Sequence, residues 1–271
     1  MFLNSKVGRV PTPAEERGEK PDMPCMSTMQ SGFSFIELLV VIVVIGILAS
    51  VAMQSMTATV EDVRRVQTER EMEMLARAIV GDPSLTQNGA RSDFGYVGDV
   101  GAFPPNLQAL YQNPGGYATW DGPYVTTSFA TDSTGFKTDE WGAPYSYSGG
   151  VTITSAGSSA TITKKIADAT SDYLRNRIIG NITDATGTIP GATYADSINV
   201  AIAYPNGVGG TATKTYHPNA AGAFTLDSIP SGVHSLRIVF TPDHDTIQRF
   251  LTVLPRHRSQ VAYQLATTFS G

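Results

Sequence analysis

The 271-residue chain carries 19 lysine and arginine residues against 24 aspartate and glutamate residues, which gives a net charge of −5. This balance excludes an extended basic surface, so no nucleic acid is expected among the partners. A single cysteine, Cys25, excludes a fold held together by disulfides within the chain, and stability must come from packed cores. The length predicts a long element with one or two globular units.

The first 31 residues are polar and rich in proline, and they carry four basic and four acidic side chains. Their charges cancel, so they give little information on membrane orientation. Internal methionines at Met23, Met26 and Met29 are alternative starts, and the true start of the chain stays open.

Residues 32–53 form an apolar run of about twenty positions, the length that spans a bilayer, with one charged side chain, Glu37. A carboxylate at the centre of a spanning helix costs on the order of 2.5–3.5 kcal/mol on insertion scales, so Glu37 requires a partner or a purpose. The run is also too long and too uninterrupted for a cleaved secretory signal, so we expect the helix to remain in the mature protein.

The residues from Gly32 to Glu37 (GFSFIE), followed by the Leu/Val/Ile run, resemble the processing site of type IV pilins and type II secretion pseudopilins. The resemblance implies that a prepilin peptidase cuts after Gly32, removes a leader of residues 1–32 and leaves Phe33 as an N-methylated amino terminus. Glu37 would then pair with an ammonium group of its own or a neighbouring subunit during assembly. An ordinary signal anchor with an incidental glutamate is the alternative.

The helical pattern continues beyond the apolar run to Gly81 without a breaker. Charges of both signs alternate over residues 61–77, and six apolar residues recur at helical spacing: Val60, Val63, Val66, Met72, Leu75 and Ile79. The pattern predicts one helix over residues 33–80, roughly 70 Å long at 1.5 Å per residue. Residues 33–53 would be its transmembrane half, and the amphipathic second half would pack on a globular head.

Three segments of the middle region resemble the head of the major type II secretion pseudopilin. They are FPPNLQAL at residues 103–110, WDGPY at 120–124 and DEWGAPYSY at 139–147. The resemblance implies a small α+β head over residues 81–171, with a proline-led short helix and a small antiparallel sheet. Glu140 replaces the proline of the family pattern. The alternation of Trp141, Tyr145 and Tyr147 predicts a strand.

The same family holds calcium in the loop around this tryptophan. By that resemblance Asp139 matches a ligand, and Asp132 is a second candidate. Calcium takes six to eight oxygen ligands, several of them carboxylates, and this chain supplies few. Residues 151–163, in the place of the family's acidic tail, have no acidic side chain and alternate like a hairpin. Calcium and a head without metal both stay open, and no other cofactor is expected.

The last hundred residues, 172–271, read as short strands separated by turns, and seven candidate strands predict a β-sandwich. The candidates are residues 178–183, 198–204, 214–216, 223–226, 233–240, 247–254 and 260–265. The segments IGNITD (179–184), IPGA (189–192) and GAFTLDSIPSGVHSL (222–236) resemble the carboxypeptidase regulatory-like, or transthyretin-like, module. This resemblance implies a noncatalytic domain.

The histidines lack the spacing of metal ligands, and no nucleophile elbow or zincin helix accompanies them, so no enzymatic activity is expected. They are His217, His234, His244 and His257. Arg249, Arg256 and Arg258 are expected to form a solvated basic edge.

Together the patterns predict an α+β protein: a long N-terminal helix, a small antiparallel-sheet head and an all-β seven-stranded sandwich. The expected function is that of a filament subunit held in the cytoplasmic (inner) membrane, with its globular part outside the cytoplasm. Its partners would be prepilin peptidase, other pilin or pseudopilin subunits and an inner-membrane assembly platform. A type II secretion pseudopilin and a type IV pilus subunit that displays an adhesive or ligand-binding sandwich are both left open, as is the choice between major and minor subunit.

Overall fold

The computed structural model describes residues 32–125, 135–148 and 150–269. The leader residues 1–31 and the calcium candidate Asp132 therefore lie outside the described residues. Contacts divide the chain after Met53 into two compact units.

Helix α1 spans Phe35–Val80 without interruption, which confirms the single long helix predicted from the sequence. No proline lies within it, and Gly46 keeps the helical conformation. The helix ends where Gly81 adopts a left-handed backbone with φ of +80°, a conformation that side chains other than glycine rarely adopt. A Cβ at Gly81 would lie 2.4 Å from the carbonyl oxygen of Asp93, so close backbone approach also requires glycine here.

The first described part of the second unit, the head, holds short elements around the end of α1. Two antiparallel hairpins are formed by β1 (Thr86–Gln87) with β2 (Ala90–Arg91) and by β3 (Thr152–Ser155) with β4 (Ile162–Lys165). Helices α2 (Gly95–Val100) and α3 (Ser171–Leu174) and 3₁₀ turns at Leu107–Leu110 and Gly135–Lys137 complete it. The predicted hairpin near residues 151–163 and the short helix near 103–110 are thus confirmed.

The strand predicted from Trp141 to Tyr147 is wrong for its first half. Trp141 lies in a turn, and only isolated bridges at Pro144 and Ser146 pair this segment with other residues. The turn forms because Gly142 has φ of +82° and because the Asp139 side chain accepts backbone N–H groups that a strand would direct sideways.

The second half of α1 supplies the centre of the head core. Met72, Leu75 and Ile79 are at most 1% exposed and pack with Tyr96 and Leu110. Fully burying such side chains stabilises a fold by about 1.5–3 kcal/mol each. Helical periodicity therefore located this face correctly.

For the preceding turns of α1, the helical periodicity wrongly predicted apolar side chains that pack on the head. Val60, Val63 and Val66 are 41–63% exposed, because the first buried residue of α1 is Thr68. Burial of α1 by the head begins at Thr68, and before that point the Trp141 indole N–H of the head donates to Oε2 of Glu61 at 2.9 Å.

The remaining strands form two sheets, and all seven predicted strand positions are occupied. One sheet has the order β10-β9-β6-β7 and the other the order β11-β5-β8. Their bounds are β5 Asn176–Thr183, β6 Ile198–Pro205, β7 Thr211–Tyr216, β8 Ala223–Ile229, β9 Gly232–Phe240, β10 Asp245–Val253 and β11 Arg258–Gln264. A short helix, α4 (Gly191–Tyr194), lies between β5 and β6.

Alternation along the strands places one face of each sheet in a common core. Ile178 and Ile182 of β5 are fully buried, as are Ile198, Val200 and Ile202 of β6, and every second residue between them is partly or fully exposed. Phe240 of β9 joins the same cluster. This period of two is the pattern from which the strands were predicted.

Head and sandwich belong to one compact unit and share backbone hydrogen bonds. Gly207 N–H donates to the Val100 carbonyl at 2.8 Å, and Ser231 N–H donates to the Tyr173 carbonyl at 2.6 Å. The boundary predicted between residues 171 and 172 stays a prediction.

Arg256 is exposed, as predicted for a solvated edge, and its guanidinium also forms ion pairs with Asp168 and Asp172. The Arg256 backbone N–H also donates to the Asp172 carbonyl at 2.9 Å. This arginine is therefore one of the residues that join the sandwich to the segment preceding it.

Candidate functional site

The start of α1 holds the predicted processing residues. Gly32 and Phe33 precede the helix and are exposed, Phe33 at 82%. The first turn is closed by the Leu38 N–H, which donates to the Ser34 carbonyl at 3.1 Å. The Gly32–Phe33 peptide bond therefore lies in exposed, non-helical backbone.

Glu37 lies in the first turn of α1, where the unpaired N–H groups and the helix dipole favour a negative charge. Phe33 precedes it by four residues, a separation that corresponds to about one turn, or 6 Å, along a helix. If the chain began at Phe33, its ammonium group would lie within one turn of the Glu37 carboxylate. The structure therefore brings Gly32, Phe33 and Glu37 together in one short exposed segment.

The helix that follows Glu37 presents apolar side chains on every side. Every residue from 35 to 53 is exposed within the chain, including Ile45, Leu48 and Val51 at 59–63%. At 1.5 Å per residue this stretch is about 28 Å long, close to the hydrocarbon thickness of a bilayer. Helix α1 is long and apolar enough to cross a membrane. A surface this apolar is stable only when lipid or other helices cover it.

Asp139, the other described site candidate, lies in the head and is only 5% exposed. Its Oδ1 accepts hydrogen bonds from the backbone N–H groups of Trp141 at 3.1 Å and Ala143 at 2.9 Å. Its Oδ2 accepts the Ser155 hydroxyl at 2.5 Å and the Gly157 N–H at 3.1 Å. Both oxygens are thus fully used as acceptors by protein donors.

This donor set does not fit a calcium site. Calcium requires six to eight oxygens whose lone pairs face the ion, whereas Asp139 is surrounded by hydrogens of N–H and O–H groups. Over the ranges that the structure describes, no group of three or more His, Cys, Asp or Glu residues could hold a metal ion. Asp132 lies outside those ranges, so its predicted role as a ligand stays a prediction.

A buried carboxylate on α1, Glu71, was not singled out from the sequence. It is 8% exposed and accepts the Tyr145 hydroxyl at 2.8 Å. Burial raises the pKa of Glu71 to about 7, with Glu140 adding to the rise and the Tyr145 hydrogen bond opposing it. Its position next to Met72 on the predicted core face was the signal that could have identified it.

The histidines with described side-chain hydrogen bonds serve local structure. His234 is 2% exposed with Nε2 lying 2.7 Å from the Pro230 carbonyl, and burial lowers its pKa. Nδ1 of His217 lies 3.0 Å from the Ile198 carbonyl. Neither imidazole is directed at a carboxylate or a nucleophile.

Comparison with protein families matches residues 27–53 to the prokaryotic N-terminal methylation motif. The match covers the predicted cleavage point, Glu37 and the apolar half of α1. It gives the chain a type IV pilin-like start, which implies processing by prepilin peptidase and assembly into a filament. No curated protein matches the chain.

Among solved structures, similarity is confined to part of the chain. The dioxygenase domain of a dioxygenase carbohydrate-binding protein fusion from Streptomyces sp. SirexAA-E is 11% identical over 35% of this chain and 81% of its own, with a TM-score of 0.25. A DUF3823 family protein from Bacteroides uniformis ATCC 8492 is 16% identical over 33% of this chain and 42% of its own, with a TM-score of 0.25. A streptococcal ancillary pilin is 8% identical over 42% of this chain and 44% of its own, with a TM-score of 0.26. Similarity at this level does not identify a relative.

Proposed function

We propose that this protein is a structural subunit of a type IV pilus-like filament. It is made as a membrane-anchored precursor, cut by prepilin peptidase between Gly32 and Phe33, and assembled through α1. The observation that carries the proposal is that the methylation motif at residues 27–53 coincides with an apolar helical stretch, residues 35–53, that is exposed at every position and long enough to cross a membrane.

Glu37 gives the assembly its register. A carboxylate surrounded by apolar side chains is costly alone, and that cost is offset when an ammonium group lies beside it. An N-methylated Phe33 terminus supplies that charge, from the same subunit or from its neighbour. When α1 moves from lipid into the filament, its apolar half exchanges one apolar environment for another, so burial of apolar surface contributes little. Helix packing and the ion pair of Glu37 are therefore the main interactions that favour the assembled state.

The globular part would lie outside the cytoplasm, with α1 in the cytoplasmic membrane before assembly. Partners are prepilin peptidase, an inner-membrane assembly platform and other subunits. The head motifs at residues 103–110, 120–124 and 139–147 support a pseudopilin of a type II secretion system as the specific role. No catalytic activity is part of this proposal.

The alternative is a type IV pilus subunit that displays the C-terminal sandwich. The observation in its favour is that the sandwich, with sheets β10-β9-β6-β7 and β11-β5-β8, is an addition to the pseudopilin-like head. We propose a carboxypeptidase regulatory-like module for this domain. Capture of surface glycans or proteins by intact filaments would favour the pilus subunit. A secretion defect in cells that lack the protein, with no surface filament in wild-type cells, would favour the pseudopilin.

The assembly role is tested by Glu37→Ala with Glu69→Ala as the matched control. Glu69 is an exposed glutamate on the same helix whose ion pair with Arg65, at 3.1 Å, is local. Both variants should insert in the membrane, and only Glu37→Ala should be lost from the sheared filament fraction measured by immunoblot. Normal incorporation of Glu37→Ala would refute the role assigned to this carboxylate.

A further inference from the structure

We propose that Asp139 is the anchor of a metal-independent clasp that holds the head closed on α1. The clasp consists of the Asp139 carboxylate and the four groups that donate to it, the N–H groups of Trp141, Ala143 and Gly157 and the hydroxyl of Ser155. In this role hydrogen bonds from the chain itself take the place that a cation would occupy.

The clasp joins two segments that are separated along the chain. Trp141 and Ala143 belong to the turn that follows Asp139, whereas Ser155 ends strand β3 and Gly157 follows it. Ser155 is fully buried. A single buried carboxylate therefore fixes the 139–143 turn against the β3–β4 hairpin.

The backbone at Gly157 lies directly against the Asp139 carboxylate, which is a second observation in favour of the clasp. A Cβ added at Gly157 would lie 2.5 Å from Oδ2 and 2.6 Å from Oδ1 of Asp139. Real Cβ atoms essentially never make contacts this short, so a larger residue at position 157 would displace the carboxylate or the backbone. The N–H of Gly157 uses that approach to donate at 3.1 Å.

The electrostatics of the clasp favour a carboxylate without a cation. Hydrogen bonds to an ionised acceptor are shorter and roughly twice as strong as neutral ones. The four donors direct the positive ends of their dipoles at both oxygens, so a cation placed there would meet the same sign of charge. Calcium could bind only after several of these hydrogen bonds had broken.

The clasped turn is one of the parts of the head that hydrogen-bond to α1. The Glu140 N–H donates to Oγ1 of Thr68 at 3.3 Å, and the Trp141 indole N–H donates to Oε2 of Glu61 at 2.9 Å. The helix acceptors are seven residues apart, which is close to two turns and places them on one face. Holding the turn in shape therefore holds these donors against the helix.

The experiment uses the full chain in detergent micelles, with thermal unfolding followed by tryptophan fluorescence in excess calcium and in excess EGTA. The clasp predicts the same unfolding midpoint for the wild type in both conditions. A midpoint several degrees higher in calcium, lost in Asp139→Asn, would overturn the proposal and establish a cation site at this aspartate.

Hydrogen exchange provides the second readout. Loss of the clasp should speed exchange at the amides of the clasp alone, whereas general destabilisation would speed exchange throughout the head. In Asp139→Asn the amides of Trp141, Ala143 and Gly157 should exchange at least tenfold faster than in wild type, with or without calcium. Ser155→Ala, which removes one donor of four, keeps the test available if Asp139→Asn does not fold, and it should speed exchange of the same amides. Asp243→Asn, at an exposed turn, is the control. Unchanged exchange at these three amides would refute the clasp.

Discussion

Helix α1 has two halves with opposite surroundings. Over residues 35–53 every residue is exposed and nearly every side chain is apolar, whereas Met72, Leu75 and Ile79 of the second half are at most 1% exposed. Both halves are helical and rich in large apolar side chains. The buried half is covered by the head, whereas the exposed half is long and apolar enough to cross a membrane.

Apolar residues on one helix can therefore have two separate roles, one in the stability of the fold and the other in membrane insertion and assembly. Side chains in the buried half stabilise the fold of the second unit, so their loss should appear as unfolding of the head. Side chains in the exposed half contribute little to that fold, so their loss should appear in membrane insertion and assembly. Substitutions on either side of the boundary near Thr68 test whether this separation holds.

The largest expected effect is at Leu75. Leu75→Ala removes a fully buried side chain and leaves a cavity, which should lower the free energy of unfolding by about 2–5 kcal/mol. Val63→Ala on the same helix, at a side chain 63% exposed, should change it by less than about 0.5 kcal/mol. Chemical unfolding in detergent, followed by tryptophan fluorescence, measures both. Similar losses for the two variants would show that the halves are not separate.

The converse effect is expected at Ile45 in the apolar half. Ile45→Asp should disfavour membrane insertion by about 2.5–3.5 kcal/mol, as insertion scales give for a charge near the centre of a spanning helix. The head should keep its wild-type unfolding midpoint, because Ile45 is 59% exposed and contacts no core. Membrane fractionation and unfolding are measured on the same variant. A head that unfolds in Ile45→Asp would contradict the separation.

A smaller effect is the pH dependence supplied by Glu71. Its folded-state pKa, about 7, lies above the ordinary value of 4.5, so its contribution to stability is fully present below pH 4.5 and is lost as pH rises through 7. We expect the head to lose on the order of 1–3 kcal/mol between pH 5 and 8 from this group. Burial also raises the pKa of Asp99, to about 6, and its loss over the same interval adds to the wild-type slope.

Glu71→Gln separates the two contributions. The amide can still accept the Tyr145 hydroxyl but does not titrate. The loss of stability between pH 5 and 8 should therefore become smaller, with only the Asp99 contribution and the opposing contribution of His234, whose pKa burial lowers, remaining. Unfolding in urea at several pH values measures it. An unchanged slope in the variant would show that Glu71 does not contribute to the pH dependence of stability.

The smallest effect is expected at the exposed ion pair between Arg65 and Glu69, 3.1 Å apart, on the exposed face of α1 on either side of Thr68. Exposed pairs at i,i+4 stabilise helices by about 0.3–0.5 kcal/mol and weaken with salt. Arg65→Ala should therefore shift the free energy of unfolding by no more than that, and less at high salt. A loss above 1 kcal/mol would mean that the head covers more of α1 than the structure describes.

Local patterns predicted much of this molecule. The uninterrupted apolar run predicted the exposed half of α1, and alternation at positions such as Ile198 and Ile202 predicted the strands of the sandwich. Periodicity also predicted the buried face at Met72 and Leu75. It could not predict that Val60 and Val63 stay exposed, because where the head begins to cover the helix depends on tertiary contacts.

Long-range hydrogen bonds contribute to the other differences. The turn at Trp141 depends on Gly142 and on the Asp139 side chain, which accepts the Trp141 and Ala143 N–H groups. Nothing near Trp141 in the sequence indicates that Ser155 and Gly157 also fix that side chain. The ion pairs of Arg256 with Asp168 and Asp172 depend on folding of residues more than eighty positions apart. Glu37, Gly32 and Phe33 could be predicted as site residues from the sequence because their signal lies within six consecutive residues.

The most direct test of the central claim is the amino terminus of the protein taken from membranes of its own cells. Intact-mass spectrometry and N-terminal sequencing should find a chain that lacks residues 1–32 and begins at N-methylated Phe33. A chain that retains the leader, or that begins at any other residue, would contradict processing by prepilin peptidase and with it the proposed filament subunit.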